Sequence, residues 1–233
     1  MRAVVITGVS RGLGAALFDV SIARGDRVLA IGRQFSAEQQ QLRDERPSDV
    51  TLFSTDLADA HWLPDYDTVR SFLRDADEVV LIHNAAVVEP IGAVGRLTTE
   101  AITHAIAVNL TAPAVLTNTF LRAAPSDARV RLLFVSSGAA HRIIDGWALY
   151  CTTKAAGETF FEAVASQVRD DPRISVASID PGQMDTGMQQ NIRRAAGSGA
   201  FFPGQQRWLD AAAEGRLVDP LVVAERIIKE HAS

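Results

Sequence analysis

Apolar residues fall into short bursts along this chain, bounded by glycine, proline or polar residues. Residues 2–6, 27–31, 50–55, 78–83, 130–136 and 174–179 are rich in β-branched and aliphatic side chains. Bursts of that length predict buried strands. Between them the apolar positions take helical spacing. Ala15, Leu17, Phe18, Val20, Ile22 and Ala23 mark a helix after the first strand. A polar helix follows over residues 36–45, capped by Ser36. Residues 62–76 are helical with an interruption near Pro64, and residues 99–124 form a long helix that Pro113 should kink. Further helices are expected over 149–169 and 221–229. Strands alternating with helices imply right-handed β-α-β crossovers and a parallel sheet covered on both faces. The expected fold class is α/β: a Rossmann-type doubly wound domain whose mainly parallel sheet has six or seven strands. No short-period repeat or linker divides the chain, so one domain is expected over residues 1–233.

Composition narrows the function. The 233 residues are 47% hydrophobic and 22% charged, enough for a full core. A net charge of −5 offers no broad basic surface for nucleic acid. The single cysteine, Cys151, excludes an internal disulfide framework and fits a reducing compartment. No charged-then-apolar leader precedes Arg2, and no apolar run reaches membrane-spanning length. The histidines do not cluster with one another or with Cys151, so no metal site is expected. These features predict a soluble, cytoplasmic protein acting on a small molecule.

The chemistry gathers where strands end. Thr7-Gly8-Val9-Ser10-Arg11-Gly12-Leu13-Gly14 joins the first strand to an apolar helix. Glycines there let the backbone approach a pyrophosphate, and the helix N-terminus offers free N–H groups and partial positive charge. The spacing G-x-x-x-G-x-G differs from both the G-x-G-x-x-G fingerprint and the phosphate loop of triphosphatases. In strand–turn–helix context it still predicts a dinucleotide site. Asn84-Ala85-Ala86, Ser136-Ser137-Gly138 and Pro181-Gly182 follow the fourth, fifth and sixth strands. All four breaks therefore share one edge of the sheet, where doubly wound folds bind ligands. Tyr150 and Lys154 begin the next helix near that edge, four residues apart and so on one face. An ammonium beside a phenol should favour the phenolate. Bringing a phenol from ~10 to between 7 and 8 takes about 3–4 kcal/mol.

Over nearly its full length the chain resembles the short-chain dehydrogenase/reductase family. The residues that carry the resemblance are Thr7-Gly8-x-x-x-Gly12-x-Gly14, Asp56, Asn84-Ala85, Asn109, Ser137, Tyr150-x-x-x-Lys154 and Pro181-Gly182-x-x-x-Thr186. Ser137 lies thirteen positions before Tyr150, as the family pattern requires. The resemblance implies a role for each. Tyr150 would be the general acid in carbonyl reduction. Lys154 would hold the cofactor ribose and depress the Tyr150 pKa. Ser137 would hydrogen-bond the substrate oxygen, and Asn109 would hold a water linking Lys154 to solvent. Asn109 could instead simply kink its helix before Pro113, and Asp56 could be a strand-end turn residue. The expected cofactor contacts are Gly8, Ser10, Arg11, Gly12, Leu13, Gly14, Arg33, Asp56 (at the adenine), Leu57, Asn84, Ala85, Ala86, Tyr150, Lys154, Pro181, Gly182 and Thr186 (at the nicotinamide).

Cofactor choice follows from charge. NAD enzymes place an acid after the second strand, bonded to the ribose 2′-hydroxyl. This chain has Gly32-Arg33 there and Arg11 in the glycine-rich turn. Two guanidinium groups near the 2′ position favour a phosphate, and hence NADP(H). A narrower likeness joins Gly146-Trp147-Ala148-Leu149-Tyr150-Cys151, residues 181–189 and residues 215–219 to the branch that holds benzil and sepiapterin reductases. It implies reduction of an α-dicarbonyl or aromatic ketone under a flap over residues 183–217. Trp147, Met184, Met188, Phe201, Phe202 and Trp208 could line the substrate pocket, or the last three could be the buried side of flap helices. Two departures stand out. The family's N-N-A-G is His83-Asn84-Ala85-Ala86 here, and the sequence ends at Ser233, where relatives continue into a seventh strand. That missing tail weighs against a pterin substrate. Family habit implies a homodimer through the helices over 99–124 and 149–169. The alternative function is a non-catalytic NADP(H) sensor on the same fold.

Overall fold

The structure, a computed structural model, describes residues 1–197, 210, 211 and 213–232. Six strands, β1 (Arg2–Thr7), β2 (Arg27–Gly32), β3 (Val50–Ser54), β4 (Glu78–His83), β5 (Arg129–Val135) and β6 (Ile174–Ile179), form one sheet in the order β3-β2-β1-β4-β5-β6. Every pairing is parallel; Val5 of β1 sits between Leu29 of β2 and Leu81 of β4. Among the described residues the helices are α1 (Gly12–Ala23), α2 (Ala37–Glu45), α3 (Tyr66–Leu73), α4 (Thr99–Ile106), α5 (Ala112–Ala123), α6 (Ala148–Gln167), α7 (Gly187–Gly197) and α8 (Pro220–His231).

The continuous apolar bursts have a direct cause: both faces of the sheet are covered. Ala3 and Val5 point into a core with Leu73 of α3, Phe120 of α5 and Phe161 of α6. Val4 and Ile6 point the other way, against Leu17 and Phe18 of α1 and Ile227 of α8. Strands β1, β2 and β4 have no exposed residue. Among the described residues β6 pairs only with β5, and it is half-exposed. The chain winds outward from β1 through β2 to β3, then returns to β4 and winds the other way. Crossovers diverge between β1 and β4, and the crevice beyond their carboxyl ends receives the site.

The helix expected over 99–124 is α4 and α5 joined by a π-turn at Ala107–Thr111. Pro113 cannot donate to the carbonyl of Asn109, so the expected kink appears as a wider turn just ahead of it. The interruption near Pro64 is a 3-10 turn at Ala60–Trp62 followed by α3, which Asp65 caps through the N–H of Thr68. Ser36 forms a reciprocal capping box with Gln39. Among the described residues, no helix is long and apolar enough to cross a membrane and no side-chain cluster could hold a metal ion.

Candidate active site

The glycine-rich turn is built for close approach. Gly8 and Gly12 have φ of +75° and +59°. A methyl on Gly14 would lie 2.0 Å from the Gly8 carbonyl oxygen, so only glycine fits there. Arg11, at the N-cap of α1, provides no side-chain cap, and the first turn carries no acid. The N-terminal N–H groups of α1 are thus left facing a cavity of about 780 Å³. Asn84 holds the turn in place. Its amide donates to the carbonyls of Thr7 (3.0 Å) and Gly8 (3.1 Å), while Thr7 Oγ1 accepts the N–H groups of Asn84 and Ala85.

The cavity runs from Gly8, Ser10, Gly12, Leu13 and Gly14 past Arg33, Asp56, Leu57 and Asn84 to Ser137, Tyr150, Lys154, Pro181, Gly182 and Thr186. Every cofactor contact expected from the sequence lines it, and so do Ala85, Ala86, Trp147, Met184 and Met188. Asp56 also accepts the N–H of Ala58, forming the strand-end turn that is the other reading of this residue. Thr186 packs on Gly12, where a methyl would come within 3.2 Å of its Cγ2. Arg11 lies differently from expectation. Its guanidinium rests against Gly187 at the start of α7, where a methyl would stand 3.0 Å from Nη1. It bridges the turn to α7, and exposed Arg33 is the cation beyond β2.

Tyr150 and Lys154 project from the first turns of α6 and are both buried. Lys154 reaches its place because α6 lies very close to β5. A methyl on Gly157 would be 2.4 Å from Phe134 Cζ, so glycine permits the approach. Lys154 Nζ donates to the Val135 carbonyl at 2.7 Å, with the Phe134 and Tyr150 ring centres 4.9 Å and 5.8 Å away. Burial draws its pKa down to about 8, against a raising influence from Glu158 one turn on. The Tyr150 phenol departs from the sequence expectation. Burial pushes it up to about 12; a hydrogen bond with Ser137 lowers it, and the charge of Asp180 and Cys151 add to the rise. Desolvation of the phenolate is the largest influence, and it runs against the lowering expected from Lys154. The phenol therefore holds its proton at neutral pH.

Asn109 sits in the π-turn, and its side chain is fully engaged. Oδ1 accepts the Val87 N–H and Nδ2 donates to the Val87 carbonyl, both at 2.8 Å, with Thr153 Oγ1 at 3.1 Å. It thereby ties the segment after β4 to α6. Ser136, the residue before Ser137, donates to Glu158 of α6, whose other oxygen pairs with His141 Nε2 at 3.1 Å.

An apolar cluster packs around Tyr150: Val88, Ile144, Trp147 and Ile192 are buried in it, with Ala86 and Met188 against it. Of these, Trp147, Ile192, Ala86 and Met188 also line the cavity. Trp147 meets the Tyr150 ring edge-on at 5.6 Å, and Tyr150 Oη lies 4.0 Å from Met188 Sδ. Phe201, Phe202 and Trp208 lie outside the described residues. Cavity-lining residues that sequence reasoning missed include His104, Arg142, Asp180, Gln189 and Ile192. Gln189 and Ile192 come from α7, which the sequence reading left inside an undivided flap. Asp180 precedes the recognised Pro181-Gly182 and had a signal in that position alone.

The bare helix terminus, the glycine cradle and the elongated cavity fit a dinucleotide. Residues 2–197 match the model of the short chain dehydrogenase family. A benzil reductase ((S)-benzoin forming) of Bacillus cereus is 32% identical over 232 residues, covering 97% of this chain and 92% of the relative. The sepiapterin reductase of Meriones unguiculatus is 29% identical over 244 residues, covering 96% and 88%. Among solved structures, the KRED1-Pglu enzyme superposes with a TM-score of 0.85 at 28% identity, covering 100% of this chain and 95% of that one. Fold, cavity and sequence agree: the chain belongs to the short-chain dehydrogenase family and is an oxidoreductase of that family.

Proposed function

We propose that the chain is an NADPH-dependent carbonyl reductase acting on a bulky α-dicarbonyl or aromatic ketone. The observation that carries this reading is the convergence of Ser137, Tyr150 and Lys154 at one end of a cavity whose other end is the uncapped N-terminus of α1. The bound cofactor supplies a hydride from its reduced nicotinamide. Gly8–Gly14 and the α1 N-terminus hold the pyrophosphate, and Arg33 takes the 2′-phosphate in place of the acid an NAD enzyme carries. Lys154 holds the ribose hydroxyls. Ser137 donates to the substrate oxygen as charge develops there. Tyr150 gives that oxygen its phenolic proton, and a pKa near 12 keeps the proton available until an alkoxide forms. Asn109, its side chain committed to Val87 and Thr153, takes the part of holding the water that links Lys154 to solvent.

Trp147, Met184, Met188 and Ile192, the apolar side chains that line the cavity near Tyr150, support aryl groups on the substrate. This matches what the names of the benzil-reducing relatives say of those proteins. Part of the flap expected over residues 183–217 lies outside the described residues; within the described part, α7 supplies Met188 and Ile192 to the cavity. The enzyme works as a homodimer through α4–α5 and α6, which a monomer mass by light scattering would overturn.

The test is NADPH consumption with benzil, beside NADH and a Tyr150→Phe variant. Turnover that prefers NADPH and falls about 10²–10⁴-fold in the variant is the expected result. Equal use of NADH would remove the role of Arg33. No turnover with several diketones, with NADPH still bound, would overturn the reductase reading.

A further inference from the structure

Resting on the reductase reading above, we infer that the side-chain amide of Gln189 grips the carboxamide of the nicotinamide ring. Its Oε1 accepts from the ring's –NH2 group, and α7 thereby sets how the ring faces the substrate.

Gln189 is 4% exposed and lines the active-site cavity. Its Oε1 is buried and accepts no hydrogen bond among the described residues. An amide withdrawn from water without a partner destabilises the fold that holds it. Such an atom at the wall of a binding cavity is placed for a ligand. Its position along α7 says which one. The Thr186 carbonyl accepts the Gln190 N–H at 3.1 Å, so Thr186 opens α7 and Gln189 stands three residues on, toward the same side. Thr186 packs on Gly12 of the glycine-rich turn. Met188, beside Gln189, brings its Sδ to 4.0 Å from Tyr150 Oη. Gln189 therefore belongs to the stretch between the cofactor turn and the reacting phenol. That stretch is fastened on both sides. Arg11 rests against Gly187, and Asn191 donates to Glu89 at 2.9 Å.

An amide oxygen needs a donor, and the ligands of this cavity offer few. A diaryl diketone has only acceptor oxygens. An ionised pyrophosphate has none but acceptors either. The ribose hydroxyls belong with Lys154, and the adenine amine with Asp56 at the far end. The carboxamide of the nicotinamide remains, with two N–H groups on its nitrogen. That substituent sits on the ring carbon next to the one that carries the hydride. Holding it fixes the rotation of the ring and so the direction in which the hydride points. A contact of this kind acts through orientation, where small misplacements are costly in rate. A side chain mounted on a helix fastened at Gly187 and Asn191 suits the task.

Calorimetry with three nucleotides tests the grip without turnover. NADP⁺ carries the carboxamide, its 3-acetylpyridine analogue has a methyl in place of the –NH2, and 2′-phospho-ADP-ribose lacks the ring. Wild type should bind NADP⁺ about 10-fold tighter than the acetylpyridine analogue, the size of one hydrogen bond. Gln189→Met, of similar length, should bring those two within about twofold of each other and leave 2′-phospho-ADP-ribose unchanged. Gln189→Glu keeps an acceptor and should retain part of the preference. Removing an unpartnered buried amide should also leave the ligand-free Gln189→Met protein with a urea midpoint no lower than that of wild type. A ratio near one in wild type, or a ratio unchanged in Gln189→Met, overturns the grip. A lower midpoint with all three nucleotides weakened alike overturns it too and makes Gln189 a packing residue. The reductase reading fails separately, if NADP⁺ is bound with its carboxamide recognised and no carbonyl compound is reduced. No binding of any of the three nucleotides overturns both.

Discussion

At the scale of single residues, the site sets two buried groups against their ordinary titration. Lys154, drawn down to about 8, is charged below that pH and loses its proton as pH rises through it. If its ammonium holds the cofactor ribose, kcat/KM should fall along an alkaline limb near pH 8 in the free enzyme. Glu158 holds that value up from one turn along α6. Glu158→Gln should therefore move the limb to lower pH, and pH profiles that superimpose would remove Glu158 from any role in tuning Lys154. Asn109 makes a different prediction. Replacing it by leucine leaves the Val87 N–H and carbonyl without their partner, a loss of about 2–4 kcal/mol measurable by urea unfolding. Asn109→Asp keeps the acceptor for Val87 N–H but sets an oxygen against the Val87 carbonyl in a buried site, so it should lose at least as much. An Asn109→Leu protein as stable as wild type would mean that Val87 finds water instead.

At the scale of elements, α6 shows how packing prepares chemistry. Glycine inside a helix ordinarily costs about 0.8–1 kcal/mol relative to alanine. At Gly157 alanine should be worse, because its methyl would meet Phe134 at 2.4 Å. Pushing α6 off β5 would also draw Lys154 from the Val135 carbonyl. Gly157→Ala should destabilise by about 1–3 kcal/mol, and Phe134→Leu in the same chain should restore part of the loss. A simple gain in thermal stability from Gly157→Ala would refute the close-packing account. Gly157 also marks how far the sequence could be read. The strands, the glycine cradle and the order Ser137, Tyr150, Lys154 were legible because each carries a local pattern. The π-turn was legible only as a kink, since Pro113 says that a bond is missing but not how the helix absorbs the loss. The direction of the Tyr150 shift was not legible: four-residue spacing reveals a neighbouring ammonium but not the depth of burial. Arg142 and Asp180 were illegible for a similar reason, because their meeting in the cavity depends on two loops from different strands.

At the scale of the whole molecule, the sheet buries a titratable group at its centre. His83 ends β4 inside the core shared with α5 and α6, 2% exposed, with Thr117 Oγ1 2.9 Å from Nε2 and the Phe161 ring centre 5.4 Å away. Its Nδ1 is buried without a hydrogen-bond partner among the described residues. Burial, with a smaller contribution from the Lys154 charge, draws its pKa down to about 3. The ring is neutral in the folded protein at every pH above that. An unfolded chain takes up a proton at this residue near pH 6.5, whereas the folded chain refuses it until about pH 3. Between those values the unfolded state binds more protons, so stability falls as pH falls through the window. By pH 4.5 the loss is about 2–3 kcal/mol at ~1.36 kcal/mol per unit. His83→Gln keeps a group able to bond Thr117 and has nothing to protonate. It should be less stable than wild type at pH 7, through imperfect packing against Phe161, and yet lose less on going to pH 4.5. Denaturant midpoints of both proteins at the two pH values decide the matter. Equal losses would show that acid opens the fold through its surface carboxylates and that His83 is merely a core residue. A smaller loss in the variant would make the strand end beside the active site the point at which acid first undoes the sheet.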